Sequence, residues 1–283
     1  MKDVGKLIVC WLAYVAALIV TGITIQSLQL PMMSPPDEMT VATRFLIQLV
    51  AGALLVLGLY PLARGITGSI ACRSIALGGF LLLALGLNGM LETKIFSSFL
   101  DGKLAGTIVF YVFLALFVGD LMGWVFGSAG QPAGLPHRNW KAWGGRGIVA
   151  WLAWPVIYFL FGISVTPIVM PYYRAGIVGL HIPLLTTVIA TQLVRSIVFL
   201  CASLPFLALW NGSRRGLWLA LGLAHMFVVG IYGLAAATFL PWTLRITHSV
   251  EIGCDSFVYA GLLVLLFTAP AARSEQSIIS HAA

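Results

Sequence analysis

The stretch "WLAYVAALIVTGITIQSLQLPMM" (residues 11–33) contains no formally charged side chain. As a helix rising about 1.5 Å per residue it is long enough to cross a hydrocarbon core about 30 Å thick. A second stretch, "WLAWPVIYFLFGISVTPIVMPYY" (151–173), aligns on it without gaps. The identical positions are Trp11/Trp151, Leu12/Leu152, Ala13/Ala153, Gly22/Gly162, Ile23/Ile163 and Pro31/Pro171.

The composition of the whole chain is that of a membrane protein. Hydrophobic residues make up 60% of the chain and charged residues 9%, and the mean hydropathy is +1.00. Soluble globular domains are about half apolar. We therefore predict an all-α, polytopic membrane protein without a soluble domain. The eight transmembrane helices are predicted at 7–30, 43–64, 73–96, 104–127, 147–168, 183–207, 216–238 and 250–271.

The similarity between the two halves continues beyond the first helix of each. At a shift of 144 residues, Gln48-Leu49-Val50 falls on Gln192-Leu193-Val194, and Gly68-Ser69 falls on Gly212-Ser213. Each unit contains an even number of helices, so both copies cross the membrane in the same direction and form a parallel repeat. The predicted units are 1–127 and 147–271, joined by a basic Gly/Pro cytoplasmic linker (128–146) and followed by a short cytoplasmic tail (272–283).

The distribution of lysine and arginine predicts the orientation. With the N-terminus inside, the formal net charge of +7 falls entirely on the cytoplasmic side, as the positive-inside rule requires. We therefore expect both termini in the cytoplasm of a bacterial-type cell and the bilayer as the main partner. The basic character indicates topology rather than nucleic-acid binding, because no soluble basic segment interleaved with aromatic residues occurs.

Four ionisable side chains stand close together in "WTLRITHSVEIGCD" (242–255). In a helix, Arg245, His248, Glu251 and Asp255 fall within one third of the circumference. We predict that this stripe lies at the external end of the last span. In the first half, Glu92 in "LETKIFSSF" resembles Glu251 in "VEIGCDSF".

Three further polar residues fall inside predicted spans. Arg195 lies about 18 Å into the sixth span, next to Gln192. Its guanidinium cannot easily reach either surface, so it should face the protein interior and an anion or carbonyl groups. His225 stands near the middle of the seventh span, where a hydrogen bond between helices competes with a role as cofactor ligand or proton relay.

Common nucleotide-binding and catalytic motifs are absent: the sequence has no P-loop, GxGxxG, HExxH or GxSxG. His248 and Glu251 have a spacing that could hold a metal, but two ligands are too few, so no metal site is predicted. The sequence identifies no cofactor and no reaction.

Three functions are compatible with this pattern. The first is a transporter of a small polar or anionic solute that uses a polar path near Arg195 and the outer Glu251/His248 cluster. Its binding residues would be Glu92, Gln192, Arg195, His225, Arg245, His248, Glu251 and Asp255. The alternatives are an accessory or structural subunit with a membrane-protein partner, and a membrane-embedded enzyme dependent on a metal or haem.

Overall fold

The computed structural model describes residues 2–32, 39–132, 134–136 and 139–268. Within these residues the protein is 82% helical and contains no β-strand. Eight of its helices are long and apolar enough to cross a membrane. The prediction of an all-α, polytopic membrane protein is therefore confirmed.

The helices alternate in direction between two faces of the bundle. We call the face at the N-terminus proximal and the opposite face distal. The helices are α1 (Lys2–Ser27), α2 (Val41–Gly65), α3 (Ile70–Phe96), α4 (Leu104–Val125), α5 (Trp140–Arg174), α6 (Leu185–Leu209), α7 (Arg214–Ala236) and α8 (Trp242–Phe267).

Two helices begin seven or eight residues earlier than predicted. Helix α8 begins at Trp242, eight residues before the predicted start at 250, because its polar stripe continues as helix instead of forming an interfacial turn. Helix α5 begins at Trp140, inside the predicted linker 128–146, because the Asn139 side chain accepts a hydrogen bond from the backbone N–H of Ala142 and caps the helix. The predicted tail 272–283 lies outside the described residues.

Helices α3 and α7 each contain a stretch of π-helix, at Leu81–Leu87 and Met226–Ile231. A shift of 144 residues superimposes these stretches almost completely, and they contact each other in the middle of the bundle. A third π-helical stretch, Ala115–Gly119, interrupts α4. Such stretches disturb regular backbone bonding and often mark functional segments.

The same tryptophan hydrogen bond occurs in both halves. Trp11 donates from Nε1 to the carbonyl oxygen of Leu49 at 2.8 Å. Trp151 donates from Nε1 to the carbonyl oxygen of Leu193, also at 2.8 Å. Both pairs match the register of the predicted repeat. The division into two repeated units stays a prediction, and we return to it below.

Backbone hydrogen bonds join the halves on both faces. On the proximal face, Thr67 donates to the carbonyl of Leu209 at 2.8 Å, and Asn211 donates to the carbonyl of Gly65 at 3.0 Å. At a shift of 144 these two bonds are each other's counterparts. On the distal face, His181 donates to the carbonyl of Phe96 at 3.0 Å.

Glycines allow α3 and α4 to approach closely. A Cβ atom at Gly119 would lie 2.5 Å from the Cα of Gly78, and one at Gly123 would lie 2.5 Å from the backbone nitrogen of Ser74. At Gly22, by contrast, a Cβ would meet no atom within 4 Å. Small residues promote such contacts only where another backbone faces them.

Candidate functional site

Arg195 lies inside the bundle and binds three side chains. It stands about 15 Å from the distal start of α6 and is 2% exposed. Its Nε donates to Oδ1 of Asn88 at 2.6 Å, Nη1 to Oε1 of Gln192 at 3.2 Å, and Nη2 to Oε2 of Glu92 at 2.9 Å. Asn88 and Glu92 are one turn apart on α3 and therefore share a face. Two helices from different halves thus hold the guanidinium.

Aromatic rings surround the same guanidinium. Its central carbon lies 5.8 Å from the ring centre of Trp154, 5.6 Å from that of Tyr158 and 5.8 Å from that of Phe199. Trp154 also donates to Oε1 of Gln192 at 3.0 Å. These cation–π contacts favour the charged guanidinium where water is excluded.

Helix α8 brings two carboxyl groups to this region. Glu251 and Asp255 lie about 14 and 20 Å from the start of a helix about 39 Å long, and both are buried. Asp255 lies within electrostatic range of Arg195, Glu92 and Glu251. The prediction that the stripe lies at the external end of the span is corrected for these two residues: they occupy the middle of the helix.

His248 extends the group towards the distal face. Its Nδ1 lies 2.7 Å from Oε2 of Glu251, and its side chain is 22% exposed. The ring also contacts that of Tyr173 edge to face, with centres 6.4 Å apart. His248 is thus the member of the stripe that joins Glu251 to the less buried part of α8.

We call these side chains the Arg195 cluster. It consists of Asn88, Glu92, Gln192, Arg195, His248, Glu251 and Asp255. Six of the predicted binding residues are therefore together, from α3, α6 and α8. The cluster holds three carboxyl groups against one guanidinium and one imidazole, so the positive charge predicted for this site does not dominate it.

Several buried polar atoms of the cluster have no hydrogen-bond partner among the residues that the structure describes. They are Asn88 Nδ2, Gln192 Nε2, His248 Nε2 and Asp255 Oδ1. Each buried unsatisfied polar group costs about 1–3 kcal/mol. A polar molecule or a proton bound here would remove part of that cost.

Arg245 does not belong to the cluster, although the sequence grouped it there. Its Nε and Nη2 donate to the backbone carbonyls of Leu234 and Ala235 at 2.7 and 2.9 Å. Its guanidinium also lies 4.3 Å from the ring centre of Trp242. The last carbonyls of a helix lack partners within the helix and attract cations, so Arg245 caps the end of α7.

His225 also makes its contacts elsewhere. Its Nε2 lies 2.9 Å from Oγ of Ser203 on α6. Its ring packs against Phe80 and Phe199 at centre distances of 5.0 and 5.3 Å. These contacts are those of a histidine hydrogen-bonded between helices, which was one of the two roles that the sequence left open.

A neutral group occupies the equivalent position in the first half. Tyr14 donates to Oε1 of Gln48 at 2.8 Å, and its hydroxyl lies 3.1 Å from that of Tyr232. In the repeat register, Gln48 corresponds to Gln192, Tyr14 to Trp154, Tyr232 to Asn88, and Ala51 to Arg195. The charged cluster is therefore peculiar to one side of the bundle.

The predicted binding residues did not include Asn88, Trp154 or Tyr158. One signal was present for Asn88, which precedes Glu92 by four residues on a helix. The two aromatic residues stand among many others in apolar segments, so no sequence pattern distinguished them.

Among the described residues, no group of three or more His, Cys, Asp and Glu side chains could hold a metal ion. No family, no curated protein and no solved structure matches this chain. The functional argument therefore depends on the geometry of the cluster.

Proposed function

We propose that this integral membrane protein transports a small polar solute and that the Arg195 cluster is its binding site. The observation that carries the proposal is a charged, incompletely hydrogen-bonded cluster about halfway through a bundle that otherwise has an apolar core. Ionisable groups at this depth are costly, and in membrane proteins they commonly mark solute or ion pathways.

The charge of the cluster favours a cationic or neutral polar solute over an anionic one. Glu92 already pairs with Arg195 at 2.9 Å. Glu251 and Asp255 add two further carboxyl groups, against which only His248 can supply another positive charge. An anion would therefore meet an excess of like charge in a medium of low dielectric constant. A solute with an ammonium group and hydrogen-bonding atoms would suit the unpartnered atoms better.

The predicted repeat supplies a way to open the site alternately. We propose that units 1–127 and 147–271 rock against each other, because α3 contributes the Asn88 and Glu92 side of the cluster and α6 with α8 the other. Parallel repeats related by an axis along the membrane normal occur in known transporter folds. With the lysine and arginine distribution, we also propose that both termini face the cytoplasm.

The test is solid-supported membrane electrophysiology of proteoliposomes that contain the full chain. Alkylammonium ions, polyamines and amino acids are added in turn, with sulfate and phosphate as the anionic arm. We expect charge displacement with a cationic or zwitterionic probe and none with the anions. Glu92→Gln should abolish this current, because it removes the carboxylate on the α3 side of the site.

Lys94→Gln is the matched control, because Lys94 lies two residues further along α3 and pairs with the exposed Asp101. It should leave the current unchanged. Binding is measured separately as thermal stabilisation by the same probe, which approaches about 2.7 kcal/mol at a hundred times the dissociation constant. Currents with anions alone, or a full current in folded Glu92→Gln protein, would overturn the proposal.

A structural or accessory subunit is the second candidate. It is favoured by the packing of Arg195 among aromatic rings. Two surface grooves, one between α1, α3 and α4 and one between α7 and α8, also lie away from the cluster. In that case every probe leaves the current and the unfolding temperature unchanged, while cluster substitutions still destabilise the fold.

A further inference from the structure

Glu251 and Asp255 occupy successive turns of one face of α8. Residues four apart on a helix are neighbours, with Cβ atoms about 5–6 Å apart. Their exposed fractions are 8% and 3%. Two buried carboxylates at this separation would repel each other strongly, and such pairs in proteins commonly share one proton.

Arg195 does not neutralise this pair directly. Its three hydrogen bonds go to Asn88, Gln192 and Glu92, and its charge is balanced first by Glu92. Within the described part of the chain, Oδ1 of Asp255 has no hydrogen-bond partner. The α8 pair therefore has spare capacity for a positive charge, and a proton is the smallest cation that fits a closed, packed interior.

The groups around the pair come from each helix packed against it. Besides Arg195 on α6 and Glu92 on α3, helix α5 places Tyr158 and Tyr173 within electrostatic range of Glu251. Helix α7 presents the apolar side chain of Met226 beside Gly253. Apart from Arg195, which already pairs with Glu92, this set contains no cation.

His248 provides a connection towards the distal face. It lies about 9 Å from the start of α8, Glu251 about 14 Å and Asp255 about 20 Å, so the three groups form a ladder along one helix. An imidazole has two ring nitrogens, so it can accept a proton on one and donate a proton from the other. Nδ1 of His248 contacts Glu251 at 2.7 Å, while Nε2 has no partner among the described residues.

We propose that Glu251 and Asp255 together bind one proton and that His248 delivers it from the distal face. Nε2 of His248 is buried in this structure, so in the state that opens to the distal face a proton from water binds Nε2, and the Nδ1–H proton passes to Oε2 of Glu251. The imidazole is left neutral as its Nε2–H tautomer, and the carboxyl pair has gained one proton. Asp255, one turn deeper, is the second acceptor. The role of this proton as the coupling ion of a transporter rests on the proposed function.

The experiment is infrared difference spectroscopy of the full chain in lipid, between acidic and alkaline buffer. We expect the C=O stretching band of a protonated carboxylic acid, which disappears at high pH. Isotope labelling of the aspartate and glutamate carboxyl carbons, in separate samples, assigns this band in the wild-type protein. Asp255→Asn should remove or shift it while the protein stays folded, because an amide is close in shape to a protonated carboxyl group.

Asp101→Asn is the matched control. The hydrogen bond from Lys94 and its charge hold the pKa of the exposed Asp101 carboxyl below its usual value, so this group stays ionised and the band should not change. His248→Ala should retain the band but slow its appearance after a pH jump.

The absence of a titrating carboxyl band in the wild-type protein would overturn the proton site, as would a band that both Asp255→Asn and Glu251→Gln leave unchanged. If the band appears equally fast after a pH jump in wild type and in His248→Ala, the role of His248 is overturned. A titrating band in a protein that gives no solute-dependent current would overturn the transport proposal alone.

Discussion

At the scale of single residues, the environment of Arg195 explains how the bundle holds a charge in its middle. The guanidinium finds a carboxylate, two amide oxygens and three aromatic rings, which together replace much of its hydration. In this ion pair the guanidinium is buried and the Glu92 side chain is 36% exposed; such a pair adds little net stability, but loss of one partner leaves the other without its counter-charge. Loss of Arg195 alone should therefore lower the free energy of unfolding more than loss of both charged partners.

Arg195→Met should lower the free energy of unfolding by about 1–3 kcal/mol, because Oδ1 of Asn88 loses its donor and Glu92 loses its counter-charge. Glu92→Gln in the same chain should restore part of the loss, since no unpaired charge then remains. Unfolding of the detergent-solubilised protein by denaturant measures both effects. Equal stability of wild type and Arg195→Met would contradict this account.

At the scale of helices, two devices determine how the elements end and how closely they pack. Arg245 closes the distal end of α7 through the carbonyls of Leu234 and Ala235. Gly119 and Gly78 bring α3 and α4 into backbone contact. Both devices satisfy or shield backbone groups within the bundle, which matters more in lipid than in water.

Arg245→Ala should destabilise the end of α7 by about 1–3 kcal/mol, because two carbonyl groups lose their charged donor. Amide hydrogen exchange followed by mass spectrometry should show faster exchange in the last turn of α7. Arg174→Ala provides the comparison, as it removes an exposed arginine from the end of α5. Unchanged exchange in α7 would rule out the capping role.

Gly119→Ala should destabilise the protein by about 1–3 kcal/mol, since the added methyl group would push against the backbone of α3. Gly79→Ala makes the same change at a position where a Cβ meets no atom within 4 Å, and it should be neutral or favourable by up to about 1 kcal/mol. Thermal unfolding of the two variants side by side gives the difference. Similar unfolding temperatures would show that close α3–α4 contact is unimportant.

At the scale of the whole molecule, the halves are joined on both faces near the centre. Ile66 pairs with Trp210 on the proximal face, and Ser97 pairs with Leu180 on the distal face. Ile66 and Trp210 are also counterparts in the predicted repeat, so this pair lies where a pseudo-twofold axis would pass. Rocking of one half against the other would turn about these junctions.

The double variant Ile66→Cys, Trp210→Cys should form a disulfide on oxidation, because the Cα atoms of paired residues in an antiparallel bridge lie about 4.5–5.5 Å apart. Ser97→Cys with Trp210→Cys should not cross-link, since the 27 residues of α3 separate the two faces. Both pairs are made without the native cysteines. The chain is then cleaved in the linker, and a disulfide that still joins the two halves is detected by the mobility of the product in non-reducing gels. Cross-linking of the second pair would invalidate the arrangement of the faces.

The sequence by itself determined that the chain is a helical membrane protein, because uncharged segments of this length can be buried only in lipid. It also identified Arg195, Gln192, Glu92 and the Glu251/Asp255 pair, because charge is rare in such segments and its depth follows from counting residues. The register of the two halves was visible as well, through shared glycines, prolines and glutamines.

The tertiary structure decided which of these polar residues meet. Helical periodicity placed Arg245 and Glu251 on one stripe. In the structure, Arg245 donates to carbonyls at the end of α7, whereas Glu251 lies among groups from α3, α5 and α6. Asn88 was left out of the predicted binding residues because an amide gains its importance only from the guanidinium beside it. Contacts between residues a hundred positions apart depend on how helices pack, and no local pattern encodes that choice.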